Sequence, residues 1–139
     1  MGKTRCELGC MFTLMFAFAA LVHAQDGQAA RGKYLVENVA LCGDFHTPML
    51  PTGEPDQSRL LKGAALTFQP IHPIPNWNAN APDLTLRGAL WKTWGESGLR
   101  KFLQTSLDPR GHLADPPMPS YKFSAQDAEA VVAYLKTLR

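Results

Sequence analysis

The sequence predicts an all-α fold, a small domain of three to five helices joined by long loops. Three observations predict it. Apolar residues recur at three- and four-residue steps in three separate stretches. No stretch alternates apolar with polar residues as a half-buried strand would. Seven prolines between residues 48 and 82 remove amide donors and break any helical period, so the first two helices are joined by a long loop.

The N-terminus reads as a leader. Lys3 and Arg5 form a basic start, and Gly9 to Val22 carries no charge. Val22-His23-Ala24 then offers small apolar residues at the two positions a signal peptidase reads. The apolar run is shorter than the roughly 20 residues of a spanning helix. Cys10 lies before that run rather than after it, which argues against a lipid-modified cysteine. The expected organisation is a signal peptide over 1–24, cut between Ala24 and Gln25, and one domain over 25–139. The product is expected to be exported, periplasmic or secreted, without membrane association after cleavage.

Cys6 and Cys10 leave with the leader, so Cys42 stands alone and no internal disulfide can form. Of 14 basic and 12 acidic residues, Lys3, Arg5 and Glu7 leave as well, and the remainder is within one charge of neutral. That balance, without a basic stripe, excludes nucleic acid as a partner.

The first helix is expected over Gln28–Leu41. It sets Leu35, Val39 and Cys42 on one face, with His46 four residues beyond Cys42. The loop that follows is longer than compact domains usually carry, and wrapping a prosthetic group would account for it. The second helix is expected over Ser97–Leu107, with Leu99, Phe102, Leu103 and Ser106 on one face and Asp108-Pro109 and Gly111 as the stop. The third starts at Ser124, with Asp127 three residues on as a partial capping box. Its apolar stripe is Ala128, Val131, Val132, Leu135 and Leu138.

The chemistry centres on Cys42-Gly43-Asp44-Phe45-His46. The string C-x-x-C-H attaches haem: cysteine sulfurs form thioethers, and the histidine ligates iron. Here one cysteine, the spacer and the histidine are in place, and Phe45 stands where the second cysteine belongs. By itself the string is weak, because a free thiol near a surface histidine also produces it. Met118 offers a soft, neutral thioether as a sixth ligand, and Pro116, Pro117 and Pro119 stiffen its loop. His112, in the same loop, is the alternative. Met49 lies only three residues from His46 and would have to cross to the opposite haem face. His72 reads as a surface residue.

The segment Arg31-Gly32-Lys33-Tyr34-Leu35-Val36-Glu37-Asn38-Val39-Ala40-Leu41-Cys42-Gly43-Asp44-Phe45-His46-Thr47-Pro48 resembles bacterial class I c-type cytochromes. In that family a helix runs into the attachment motif, and Thr-Pro often follows the histidine. Asp115-Pro116-Pro117-Met118-Pro119-Ser120-Tyr121, followed by a helix containing Ala133-Tyr134-Leu135, resembles the family's distal methionine loop and last helix. The resemblance spans Gly27 to Leu138.

It implies a cytochrome c-like fold around one haem c, tethered by a single thioether at Cys42, with His46 and Met118 as the iron ligands. It also implies a mono-haem electron-transfer protein rather than an enzyme, meeting redox partner proteins transiently. Gly32 and Tyr34 would cross Tyr134 and Leu135. Trp77, Trp94 and Phe102 would line the haem or pack the core. Phe45 removes one covalent bond, not an iron ligand, and motivates the alternative of a haem-free cytochrome c-like subunit or interaction module. A thiol enzyme or sensor using Cys42 with His46 needs a lowered thiol pKa and a third orienting group. The sequence names no such group, and Asp44 is a poor fit.

Overall fold

The computed structural model describes residues 26–139. The leader expected over 1–24 lies outside the described residues. Helix α1 covers 26–34 and runs directly into a π-helical turn, Leu35–Val39. The amide of Ala40 donates to the Leu35 carbonyl at 2.8 Å, and that of Cys42 to the Val36 carbonyl at 3.0 Å. Leu41 takes φ 50°, the left-handed position that usually falls to glycine where a helix is closed this way.

The π turn corrects the expected helical face. A five-residue turn shifts the register. Leu35, Val36 and Ala40 point inward and are buried, while Val39 is turned out to solvent.

A single helical turn follows, α2, Gly43–His46. The long loop contains a 3-10 turn, Gln57–Arg59, capped by the Asp56 carboxylate, which accepts from the Ser58 amide at 3.0 Å. It also contains a small antiparallel ribbon of β1, Ala64–Ala65, and β2, Asn80–Ala81, with Ala64 opposite Ala81 and Ala65 opposite Asn80. Two-residue strands are too short to show alternation in sequence.

Helix α3 is Ala89–Thr93, and α4 is Gly95–Thr105. The second helix thus begins two residues earlier than expected and ends at Ser106, a left-handed C-cap with φ 60°. Helix α5, Ala125–Leu135, starts as expected: Ser124 Oγ accepts from the Asp127 amide at 3.0 Å.

Helix α4 and the π turn both pack on α5. The core lies at that crossing and is built from Leu35, Val36, Leu61, Ala130, Val131, Tyr134 and Leu135. A Cβ at Gly32 would land on the Ala130 carbonyl and lie 2.8 Å from Tyr134 Cβ, so only glycine lets the two helices approach this closely. Tyr34, expected at the same contact, instead lies out in solvent beneath the Arg31 guanidinium, 5.7 Å from its ring centre. Arg100 ties α4 to α5 through Glu129 at 2.9 Å and reaches back to Glu96 at 3.0 Å.

Candidate haem site

Cys42 and His46 sit four residues apart across one helical turn. The His46 amide donates to the Cys42 carbonyl at 2.9 Å, so both side chains leave the same face. Both line a cavity of about 310 Å³ between α2, α4, α5 and the loop after α4. Met118 lines the same cavity from that loop. The structure therefore brings Cys42, His46 and Met118 together. Apolar side chains from the helices make the walls, among them Val36, Leu99, Leu103, Val131 and Leu135.

His46 is buried, and its ring is fixed by one bond: Nδ1 lies 2.8 Å from the Pro82 carbonyl oxygen. A carbonyl can only accept, so Nδ1 must carry the proton, and Nε2 of the neutral ring keeps its lone pair. Burial also lowers the His46 pKa, which favours that neutral ring, although the bond to Pro82 acts in the opposite sense.

The backbone that delivers Pro82 is shaped by Gly63. Its amide donates to the His46 carbonyl at 2.8 Å, and its φ is 82°. A side chain there would press on the Ala81 carbonyl and the Asp83 amide, each 2.9 Å from the added carbon. Thr47 adds a second tie, its Oγ1 accepting from the Leu61 amide at 3.1 Å.

The methionine loop is fastened at several points. Asn78 donates its amide to the Pro116 carbonyl at 2.7 Å, and Ser106 Oγ donates to the Tyr121 carbonyl at 2.6 Å. The Tyr121 hydroxyl donates to the Ala40 carbonyl at 2.6 Å, joining this loop to the end of the first helical segment just before Cys42. Burial pushes the Tyr121 phenol up to about 12, so it remains a donor.

The other candidates fall outside the cavity. His112 is exposed and turned toward Asp108, with Nδ1 3.8 Å from the carboxylate. The His112 amide and then the Arg110 amide hold the Asp108 carboxyl below its usual range, and the two bonds fix the tight turn there. Met49 and His72 are exposed. Trp94 and Phe102 do line the cavity, with ring centres 5.1 Å apart. Trp77 does not. It lines a separate shallow groove on the proline-rich loop with Ile71 and Ile74.

Pro82, Gly63 and Tyr121 escaped the sequence reading. Pro82 acts through a backbone carbonyl, which no side-chain type announces. Tyr121 acts across 81 residues of chain.

A thiol enzyme is a poor use of this geometry. Burial pushes the Cys42 thiol up to about 11, so it stays protonated at neutral pH, whereas a reactive cysteine needs a lowered pKa.

Comparison with known proteins agrees with the cavity. The family model described as Cytochrome c matches residues 52–139, a span that begins after the attachment string. The chain is 30% identical over 125 residues to the fructose dehydrogenase cytochrome subunit of Gluconobacter japonicus, a match covering 84% of this chain and 23% of that protein. It is 30% identical over 111 residues to a diheme cytochrome c-type protein of Cereibacter sphaeroides, covering 76% of this chain and 34% of the relative. It is 31% identical over 127 residues to the gluconate 2-dehydrogenase cytochrome c subunit of Pantoea cypripedii, covering 82% and 27%. The chain thus spans about a quarter to a third of the length of these relatives. Three cytochrome relatives and a family match that is independent of the damaged string agree: the chain belongs to the cytochrome c family of electron-transfer haem proteins.

Proposed function

We propose that residues 25–139 form a single-haem electron-transfer unit, exported after removal of 1–24, with haem held by one thioether at Cys42 and by His46 and Met118 on the iron. One observation carries this reading: Cys42, His46 and Met118 line one apolar cavity. The donor set suits haem. An imidazole with Nδ1 committed to a carbonyl presents Nε2 in a fixed direction, the arrangement typical of metal-bound histidine. A methionine sulfur opposite it is soft and neutral and raises the reduction potential.

Bound haem supplies a one-electron ferric–ferrous couple. The protein's own residues do the rest. Pro82 holds the His46 ring, the Tyr121 and Ser106 bonds hold the methionine loop, and the apolar walls exclude water. Cys42, packed against the core, keeps haem tethered even while an axial bond is broken. With His46 and Met118 as its ligands, the iron would keep no position for a substrate. The relatives named as dehydrogenase cytochrome subunits favour a redox enzyme as the partner, met through a small and transient contact.

The test is a reduced pyridine haemochrome spectrum of protein made with its own N-terminal segment, together with a haem stain after denaturing electrophoresis. The expected spectrum is that of haem with one saturated vinyl group, and the stained band is expected to vanish in Cys42→Ala. Met118→Ala is expected to keep the stain but lose the six-coordinate, low-spin spectrum. An exported, folded protein without iron would instead make the chain a haem-free interaction module.

A further inference from the structure

Phe45 is more than a gap in the attachment string. Its half-buried ring lines the cavity beside Cys42 and His46. It meets Phe68 edge to face, with ring centres 6.1 Å apart and planes at 72°. Phe68 meets Trp77 in the same way, at 5.8 Å and 75°. Both geometries are the ones aromatic quadrupoles favour. Phe68 is 45% exposed, so this ring is kept against Phe45 at the cost of facing water.

Phe68 and Trp77 belong to the loop between β1 and β2. The Leu66 amide closes the neck of that loop on the Ala79 carbonyl at 2.8 Å. Beyond the neck come Asn80 and Ala81 of β2 and then Pro82, whose carbonyl fixes His46. Leu66, Asn78 and Asn80 line the cavity as well. One hairpin thus delivers the histidine anchor and an aromatic stack to the side of the cavity where Phe45 stands.

A thioether forms when a cysteine S–H adds across a haem vinyl group. Phe45 has no S–H, so the vinyl group facing it stays intact: flat, apolar and free to rotate. We propose that the Phe45 ring packs as a non-covalent clamp on that unreacted vinyl edge, buttressed from outside the cavity by Phe68 and, behind it, Trp77, with Phe68 the positioning residue that sets the plane of the Phe45 ring. This rests on the single-thioether reading above.

Two measurements on the haem-loaded protein test it. The first is the resonance Raman vinyl stretching band. Wild type is expected to give one narrow band, and Phe68→Ala to broaden or split it while the bands reporting axial ligation stay in place. Phe68→Tyr, which keeps the ring, is expected to restore the narrow band. The second is the rate at which Cys42→Ala protein, loaded with haem it cannot tether, gives haem up to excess apomyoglobin. Adding Phe68→Ala is expected to raise that rate about fivefold, the scale of the Phe45–Phe68 edge-to-face pair that holds the clamping ring. Phe45→Cys supplies the control. With the second thioether formed there is no vinyl group left to clamp, and Phe68→Ala is expected to leave the haem spectrum unchanged. A vinyl band and a release rate indifferent to Phe68 overturn the clamp while leaving the single-haem reading intact. A wild-type protein without haem overturns both.

Discussion

Gly32 shows how one residue sets the geometry of the whole site. Its missing side chain lets α1 press on α5 at Ala130 and Tyr134. The same α1 leads to Leu41 and then to Cys42. Gly32→Ala places a carbon where the Ala130 carbonyl already sits, and backbone cannot rotate out of the way as a flexible side chain can. The expected loss is about 2 kcal/mol, within the usual range for overpacking a tight contact. Urea unfolding should show it as a lower midpoint with an unchanged slope, and an unchanged midpoint would mean that the crossing is looser than described. Gly32 and Tyr134 were legible through the resemblance, which sets a small residue and an aromatic where the first and last helices cross. Tyr34 was misread because it stands only two residues from Gly32, which on a regular helix turns it roughly 200° away from the crossing. No residue type signals the π turn that follows.

At the scale of elements, legibility followed length and capping. Helix α5 has eleven residues, a stripe of inward-facing apolar positions and a serine cap, and its start was read correctly. Helix α3 has five residues and none of them is buried, so there was no stripe to detect. Only Trp94 then separates it from α4, whose first residue, Gly95, takes φ 65°. The ribbon of β1 and β2 was invisible for a related reason: its value lies in bringing Pro82 to His46, not in any pattern of its own side chains. The cap of α5 gives a clean test. Ser124 Oγ satisfies one amide, and removing it in Ser124→Ala is expected to cost about 1 kcal/mol. Because the apolar face of α5 also forms one wall of the cavity through Val131 and Leu135, the same variant tests whether fraying at the helix start reaches the site. Thermal unfolding should register the lost cap. The haem spectrum should not change, because Val131 lies nearly two turns inside the helix. A spectral change would mean that the helix moves as one piece.

The whole molecule divides its stability unevenly. The core cluster sits where α1, the π turn and α5 cross, and it reaches Leu61 in the loop. The segment from Leu50 to Glu54 is exposed throughout and is closed by the amides of Leu50 and Gly53, donating to Glu54 and Leu50. Between these extremes lie two segments, 66–82 and 106–121, that both line the cavity and contribute few residues to the core. Their order therefore depends on what the cavity holds, since a group bound only by the folded state stabilises the parts that enclose it. Hydrogen exchange on the haem-free and haem-loaded protein would expose this division. Amides of Val131 to Leu135 should be slowest in both forms, because opening them requires taking the core apart. Amides between residues 50 and 54 should be fast in both. Protection of the Leu66, Asn78, Ser106 and Phe123 amides, each bonded across those two segments or at their edges, should rise when haem is present. If protection rose evenly along the chain instead, haem would be stabilising the fold only globally, and the two cavity-facing segments would be as firmly built as the core they extend from.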